Sequence, residues 1–201
     1  LETAYGRFWR RYPVPEVALD GEVFADENNP WTTREENGQL VFDQIQYVID
    51  TLKELKINPN HKNGRRMIVV AWNPGNATIS KLPPCHYTFA FNVLGNKLNC
   101  HLTQRSGDIA LGIPFNLACY SLLTMMLAKE CGYEVGEFSH TIIDAHIYEN
   151  HIEGLKEQLT RKPLKLPKIK IADKPFNELT FEDITLEDYE SYPAIKFEVA
   201  V

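Results

Sequence analysis

The sequence of 201 residues is 44% hydrophobic and 24% charged, and its formal net charge at pH 7 is −6. These values are typical of a soluble chain with one domain, long enough to bury a substantial core. The net acidity argues against a nucleic-acid-binding protein, which needs a basic face, although a small anionic ligand responds only to the charge around its own pocket. No apolar run reaches the roughly 18 residues of a membrane span, and no signal peptide is present in the sequence.

The segment 13–40 is predicted to be an irregular surface insertion. It holds three prolines and no sustained hydrophobic period. Seven acidic residues and a single basic residue, Arg34, lie between Glu16 and Glu36, so this segment carries the whole net charge. The rest of the chain is neutral overall, and its charge does not oppose a basic pocket.

The next predicted element is a helix that begins after Asp43, which can cap its first turn. Apolar residues recur three and four positions apart at Ile45, Val48, Ile49, Leu52 and Leu55. The remaining predicted elements follow in chain order: a strand over 65–72, a loop over 73–84, strands over 86–94 and 97–106 joined by a turn at Gly95 and Asn96, a helix over 114–131 that ends at Gly132, a strand over 137–148, a helix over 150–160, and strands over 166–172 and 194–201.

The helix over 114–131 is apolar on nearly all sides, which predicts a buried position at the centre of the domain. Strands and helices follow one another without regular alternation. This order indicates the α+β class, with a single domain built on a mixed β-sheet.

The first candidate for chemistry is the run Pro83-Pro84-Cys85-His86. Two prolines fix the backbone before the cysteine, so its thiol would be presented from a defined loop end. Nearby positive charge would favour the thiolate, which is the nucleophilic form. The alternative is a small buried core residue. The four cysteines (Cys85, Cys100, Cys119 and Cys131) contain no CxxC pair, which predicts reduced thiols in a cytoplasmic protein and no metal site.

The second candidate is the run from Gln104 to Asp108, with Arg105, Ser106 and Gly107 between them. A guanidinium fork, a hydroxyl and open backbone amides suit a phosphate. An Arg–Asp surface pair on a turn is the alternative.

The third candidate is the pair Arg65 and Arg66. Adjacent residues on a strand point to opposite faces, so both reach one anion only from a loop or across an interface. A solvated strand end is the alternative.

The fourth candidate is the run from Asp144 to Tyr148. His146 and Tyr148 share one face of a strand and can converge on a single hydroxyl group. Two hydrogen-bonded polar residues of the core are the alternative.

Together these clusters resemble thymidylate synthase. The similar stretches are YGRFWR (5–10), FDQIQYVIDTL (42–52), RRMIVVAWNP (65–74), LPPCH (82–86), QRSGDIALGIPFN (104–116), DAHIY (144–148), NHIEGLKEQL (150–159) and EVAV (198–201). The resemblance covers nearly the whole chain apart from the acidic insertion, and the order and spacing of its motifs are highly specific. The sequence is therefore identified as one domain of this family over 1–201, with roughly the first third of a usual family sequence expected before YGRFWR.

The resemblance implies reductive methylation of dUMP to dTMP, with 5,10-methylenetetrahydrofolate as co-substrate and no metal. Cys85 would attack carbon 6 of the base, which turns carbon 5 into the nucleophile that accepts the one-carbon unit. Arg105 would contact the phosphate and the Cys85 sulfur and favour the thiolate. Tyr5 and His86 would belong to the water network that removes the proton from carbon 5. Asp108 would contact the base and the folate.

The phosphate contacts that the resemblance implies require a homodimer. Gln104 and Ser106 would belong to the substrate pocket, and Arg65 and Arg66 match an arginine pair that the family donates to the neighbouring subunit. The second face of the sheet would then form a two-fold interface.

The base and the sugar would be held by Asn116, His146 and Tyr148. The Asn116 amide offers one acceptor and one donor, which suits the carbonyl and NH of uracil, whereas relatives that act on a cytosine nucleotide carry an acid there. The residues expected on the folate side are Leu82, Leu111, Gly112 and Phe115, with Ala200 and Val201 closing over the ligand.

Three alternatives remain open at this point. A pyrimidine-nucleotide hydroxymethylase would share the nucleophile and the cofactor but add water at the last step. A non-catalytic relative that binds a nucleotide or RNA would lack turnover. A cysteine hydrolase could pair Cys85 with His146, although the neighbouring Arg and Asn residues suit an anionic nucleotide better. The main hypothesis needs no membrane and no nucleic acid.

Overall fold

The computed structural model describes residues 5–15, 29–77 and 79–199. The described helices are α1 (Tyr5–Arg10), α2 (Gln44–Ile57), α3 (Pro74–Ala77), α4 (Gly112–Cys131) and α5 (Ile152–Thr160). The described strands are β1 (Tyr12–Pro13), β2 (Thr32–Arg34), β3 (Leu40–Phe42), β4 (Ile68–Val70), β5 (His86–Leu94), β6 (Lys97–Asp108), β7 (Glu134–His146), β8 (Lys168–Ile171) and β9 (Ile184–Glu187).

The central sheet has the strand order β4-β5-β6-β7. The pairs β4–β5 and β5–β6 are antiparallel, whereas β6 and β7 are parallel. The predicted α+β class with a mixed sheet is therefore confirmed. Parallel pairing requires a long crossover connection, and α4 supplies it.

The hydrophobic core lies between one face of this sheet and the helices α2 and α4. Leu98, Leu102, Tyr120 and Leu127 are fully buried there. Alternate residues of β6 point into the core because side chains of a strand alternate between its two faces. The opposite face of the sheet is not covered by any element that packs on it in the described ranges, and Ile68 on β4 and Ile143 on β7 are exposed.

The predicted helix after Asp43 is confirmed, because the Asp43 carboxylate accepts a hydrogen bond of 2.9 Å from the backbone N–H of Gln46. The predicted helix 114–131 begins two residues earlier, at Gly112, and ends before Gly132, as predicted. Its burial differs from the prediction. Only one face of α4 is buried, and Phe115 and Leu117 are exposed, because a single chain supplies a covering surface on one side only. Within residues 5–15, 29–77 and 79–199, no helix combines the length and apolarity needed to cross a bilayer.

Two predicted strands differ from the structure: one is shorter than predicted, and the other does not form in its described residues. The strand predicted over 65–72 is confined to Ile68–Val70, because the chain first makes a 3-10 turn over Lys62–Arg65. The strand predicted over 194–201 is absent from its described residues, 194–199, which pair with no other strand. This tail instead runs beside α5, where Arg161 donates to the Pro193 carbonyl at 2.7 Å. The strand β9, which pairs with β8, was not predicted.

The described ends of the segment 13–40 are more ordered than an irregular loop. Strand β2 pairs with β3, and Thr32 is buried. The Trp31 indole donates to the Asp50 carboxylate at 2.9 Å, which ties the segment to α2. Hydrogen bonds between strands explain the order, although local sequence gave no periodic signal for them. The stretch 16–28 lies outside the described residues.

The left-handed backbone of Gly132 gives a test of how α4 ends. Its φ is +71°, while a Cβ built there meets only the Lys56 Cε, at 3.9 Å. Gly132→Ala should therefore lower the free energy of unfolding by about 1 kcal/mol through backbone strain and not through a clash. Chemical denaturation measures the change. Gly6→Ala in α1 is the matched control, since a Cβ there contacts nothing within 4 Å. Equal effects of the two substitutions would contradict this account.

Candidate active site

The thiol of Cys85 lies immediately before β5 and is held by Arg105 from the neighbouring strand β6. The Arg105 guanidinium donates to the carbonyl oxygens of Pro83 at 2.8 Å and Pro84 at 3.0 Å. The same guanidinium lies 3.5 Å from the Cys85 sulfur. A backbone hydrogen bond of 2.8 Å from the Arg105 N–H to the Cys85 carbonyl fixes the two residues side by side. One arginine therefore contacts both the loop and its thiol.

The environment of Cys85 differs from that of the chain's other thiols, all of which are free of disulfides. Burial raises the pKa of Cys100 and of Cys131 to about 12, so these two stay protonated and unreactive. Burial also raises the pKa of Cys119. Cys85 is partly exposed and lies next to the permanent positive charge of Arg105, whereas Cys100 and Cys131 are buried.

Two tyrosines surround the ring of His86. The Tyr5 ring stacks on it with the centroids 3.5 Å apart, and the Tyr5 hydroxyl accepts a 2.7 Å hydrogen bond from the Cys85 N–H. On the other side, the His86 Nδ1 lies 2.6 Å from the Tyr120 hydroxyl. Burial, with a smaller contribution from His140, lowers the pKa of His86 to about 4. Burial raises the pKa of both tyrosines, so His86 is neutral and both phenols are protonated at neutral pH.

The side chain of Asn116 on α4 is oriented by the buried Gln104. The Gln104 amide donates to the Asn116 Oδ1 at 3.1 Å and to the Ser106 carbonyl at 2.8 Å. Its own oxygen lies 3.0 Å from the His140 Nε2. Because the Asn116 oxygen accepts from Gln104, its amide nitrogen remains available as a donor.

The parallel pairing of β6 and β7 brings the second and fourth sequence clusters together. Ser106 is in register with Asp144, and Asp108 with His146. Tyr148 follows β7, with its ring 5.1 Å from that of His146. The Asp108 carboxylate accepts from the Ala110 N–H at 2.9 Å, which turns the chain towards α4.

Arg65 and Arg66 do not join this cluster. Arg65 lines a separate cavity at the end of α2, with Lys56 and His61. Arg66 contacts Asn63 at 3.4 Å. No hydrogen bond or ion pair links either arginine to Cys85, Arg105 or Ser106 in the ranges that the structure describes.

The residues expected on the folate side are only partly assembled. Leu111 and Gly112 lie at the beginning of α4, directly after the turn that Asp108 stabilises. Leu82 and Phe115 are strongly exposed. Ala200 and Val201 lie outside the described residues.

The sequence prediction missed several residues that support this site. Tyr120, His140 and His151 contact predicted site residues, and the Trp72 ring lies 6.0 Å from the Arg105 guanidinium. The one available signal was a tyrosine hydroxyl in the most apolar helix, where a buried phenol needs a partner. Nothing local in the sequence indicated the partners of the two histidines.

The described residues contain no group of three or more His, Cys, Asp or Glu side chains that could hold a metal ion. The site instead offers a thiol next to a guanidinium, a hydroxyl and an oriented amide. This set defines the class of cysteine-nucleophile sites with groups suited to a polar, anionic ligand.

Comparison with known proteins gives the family. The family model for thymidylate synthase matches residues 1–201. A thymidylate synthase of Haloferax volcanii is 43% identical, over 100% of this chain and 70% of its own length. Those of Listeria monocytogenes serotype 4a (strain HCC23) and Listeria innocua are 48% and 47% identical, over 90% of this chain and 55% of their own length. The chain belongs to the thymidylate synthase family, which confirms the resemblance, and it spans little more than half the length of the Listeria relatives.

The lowered pKa of His86 predicts how stability depends on pH. Between pH 6.5 and about 4, His86 is protonated in the unfolded state but stays neutral in the folded state. The free energy of unfolding should therefore fall as the pH falls through this window. His86→Gln should remove about 3 kcal/mol of that fall. Denaturant unfolding at several pH values measures it. Asn92→Gln, at an exposed position of β5, is the control and should leave the pH dependence unchanged, because it neither adds nor removes a titratable group. Parallel curves for wild type and His86→Gln would contradict the prediction.

Proposed function

We propose that the full-length protein is a methyltransferase that converts dUMP to dTMP, with 5,10-methylenetetrahydrofolate as co-substrate. The observation that carries the proposal is the contact between the Arg105 guanidinium and the Cys85 sulfur, within a member of this family. A guanidinium next to a thiol favours the thiolate, and it can also bind a phosphate. The Arg105 side chain could therefore serve both the nucleophile and substrate recognition.

In the proposed mechanism the Cys85 thiolate adds to carbon 6 of the base. The displaced electron pair forms an enolate with the adjacent carbonyl, and carbon 5 then attacks the one-carbon unit of the folate. Carbon 5 next loses its proton, and the electron pair left behind breaks the bond between the one-carbon unit and the folate nitrogen, which leaves a methylene group on carbon 5. A hydride from the tetrahydrofolate so released adds to this methylene, and the electron pair that it displaces into the ring expels the Cys85 thiolate. The products are dTMP and dihydrofolate.

Removal of the proton from carbon 5 requires a base or an ordered water molecule. Tyr5 and His86 are proposed to form the network that orders this water. At neutral pH the His86 ring is neutral, because burial lowers its pKa to about 4. The Tyr120 hydroxyl, which keeps its proton, can donate to the His86 Nδ1 and leave the ring proton on Nε2. This arrangement can order water without placing a second positive charge next to Arg105.

Recognition of the nucleotide is assigned to the groups at the ends of β6 and β7. Ser106 would bind the phosphate, and His146 and Tyr148 would bind the 3′-hydroxyl. Asn116 would bind the edge of uracil, and its contact with Gln104 supports this role because it leaves the amide nitrogen free to donate to a carbonyl. Asp108 would contact the base and the folate.

The remaining folate contacts are proposed for the beginning of α4 and for the tail. Leu111 and Gly112 follow the Asp108 turn, and the exposed Leu82 and Phe115 offer apolar surface. Ala200 and Val201 would close over the bound ligand.

A homodimer through the uncovered face of the central sheet is part of the proposal. Ile68, Ala90, His101 and Ser139 are in register across that face, on four neighbouring strands. Arg65 and Arg66, which have no contact with their own chain's Cys85 cluster in the described ranges, would reach the partner's phosphate site. The unpaired thiols favour a cytoplasmic location.

Release of tritium from dUMP labelled at carbon 5 tests this function. The full-length protein should release tritium into water only when the folate is present, because carbon 5 loses its hydrogen only after it has accepted the one-carbon unit. Cys85→Ser should abolish release, while Cys119→Ser, which changes a thiol outside the cluster, should leave it intact. Full release by Cys85→Ser, or none by the wild type, would overturn the proposal.

A further inference from the structure

The side-chain amide of the buried Gln104 connects Asn116 to a histidine, His140, that the proposed function does not use. Gln104 is 2% exposed. Its nitrogen donates to the Ser106 carbonyl at 2.8 Å and to the Asn116 Oδ1 at 3.1 Å. Its oxygen lies 3.0 Å from the His140 Nε2. Each polar atom of this amide therefore has a partner.

The pairing of β6 and β7 brings His140 to the Gln104 amide. Gln104 is in register with Ile142, and His140 lies two residues earlier on β7. Residues two apart on a strand share a face, so His140 lies on the same side of the sheet as Gln104. The His140 ring also packs on the Phe138 ring, with the centroids 5.8 Å apart. The strand and this ring contact together place the imidazole beside the amide.

The Ser106 carbonyl fixes the direction of every hydrogen bond in this group. A carbonyl oxygen only accepts, so the atom of Gln104 that faces it must be the amide nitrogen. The Gln104 oxygen therefore faces His140, and the His140 Nε2 must carry a proton and donate it. A neutral ring with its proton on Nε2 and a charged ring both meet this requirement, so the contact does not depend on the charge of His140.

The direction of the Gln104 amide determines that of Asn116. If the Asn116 amide turned around, its NH2 group would face the NH2 group of Gln104, and two donors cannot bond to each other. In the direction observed, the Asn116 nitrogen can donate to a carbonyl, and its oxygen has a second lone pair that can accept from an N–H. Uracil offers a carbonyl and an N–H, whereas cytosine offers an amino group and a ring nitrogen that accepts.

His140 provides the hydrogen bond that the Gln104 oxygen needs. It is the one donor to this oxygen among residues 5–15, 29–77 and 79–199. Without that donor, a buried acceptor would lack a partner, which costs free energy. A Gln104 side chain that moves to recover a partner would no longer hold the Asn116 oxygen, and Asn116 would be free to turn.

We infer that His140 is a positioning residue that acts through Gln104 to orient Asn116 for uracil. His140 would thus contribute to the choice of base without contacting the nucleotide. The inference rests on the proposed function, because the contact between Asn116 and the base is taken from it.

His140→Phe in the full-length protein tests this role. Phenylalanine keeps a ring next to Phe138 but has no donor. The kcat/KM for tritium release from dUMP labelled at carbon 5 should fall about tenfold, because the Gln104 oxygen loses its partner. The value for dCMP labelled at carbon 5 should not fall, because a freely turning Asn116 no longer opposes cytosine. A purely structural loss would lower both values together and would contradict the inference.

Two further substitutions of His140 test the donor itself. His140→Gln can place an amide nitrogen where Nε2 lies, so its kcat/KM for dUMP should stay within about threefold of the wild type. His140→Asn is too short to reach that place and should behave like His140→Phe, which covers the case in which the phenylalanine variant does not fold. Equal losses in His140→Gln and His140→Asn would contradict the role of the donor.

Thr141→Val is the matched control on the same strand. The Thr141 Oγ1 lies 3.3 Å from the His101 Nε2, so this substitution also removes a contact between β7 and β6. Thr141 lies on the opposite face of the sheet from His140, because adjacent residues of a strand alternate. It should change neither kcat/KM value by more than about twofold. A tenfold effect would assign the loss to the strand and not to the donor.

A double-mutant cycle tests whether His140 acts through Gln104. In Gln104→Leu the amide is absent, so adding His140→Phe should change the kcat/KM for dUMP by no more than about a further twofold. Calorimetric affinity for dUMP gives the same comparison if Gln104→Leu turns over too slowly. The cycle uses dUMP alone and therefore also applies if dCMP releases no tritium. A tenfold effect of His140→Phe in both backgrounds would overturn the inference.

The wild type separates the possible failures. No tritium release from dUMP would overturn the proposed function, and equal release from dUMP and dCMP would overturn the part of it that assigns the base to Asn116. An active wild type that prefers dUMP, with an unchanged kcat/KM for dUMP in His140→Phe or His140→Asn, would overturn the role of His140 alone.

Discussion

The Arg105 guanidinium is the group on which the geometry of the site depends. Prolines lack a backbone N–H, so Pro83 and Pro84 cannot join the sheet as donors, and their carbonyl oxygens need donors from elsewhere. Arg105 donates to both and lies against the thiol that follows them. Its backbone bond to the Cys85 carbonyl aligns strands β5 and β6 at the same point. These bonds tie the loop and the Cys85 thiol to β6.

The rest of the site follows from the direction of β6 and β7. Parallel neighbours end at the same edge of a sheet, so the polar residues that close each strand meet there. Ser106 and Asp108 on β6 face Asp144 and His146 on β7. Gly107 lies between them, and a Cβ at that position would lie 2.6 Å from the Ile113 Cδ1 of α4, so a larger residue there would displace this side chain. The helix thus approaches closely enough for Asn116 to reach Gln104.

Sequence predicted the features that local patterns determine. The cap at Asp43, the turn at Gly95 and the end of α4 before Gly132 each depend on a few neighbouring residues. The motif around Cys85 and that around Arg105 were both found, and the family they indicate is confirmed. Local patterns could not predict contacts between residues that are far apart in the sequence. Tyr120 contacts His86 from 34 positions away, and His151 reaches the Glu198 carbonyl from 47 positions away.

The tail shows that a local pattern can also predict an element that the structure does not form. Residues 194–201 alternate in polarity, which predicts a strand, but the described residues of this segment meet no strand edge. They run against α5 and His151, where the buried imidazole donates to the Glu198 carbonyl and Arg161 donates to the carbonyl of Pro193, the residue just before this segment. A strand requires a partner as well as a pattern.

A covalent adduct between Cys85 and the base is the central claim, and mass spectrometry of the intact full-length protein tests it most directly. A dUMP analogue with fluorine at carbon 5 cannot lose that substituent as a cation, so the adduct should persist once the folate is added. The account predicts a mass increase equal to one analogue plus one folate, localised to the peptide that contains Cys85 and strongly reduced in Arg105→Lys, which lacks the planar fork. An adduct on another residue, or none on an active protein, would contradict it.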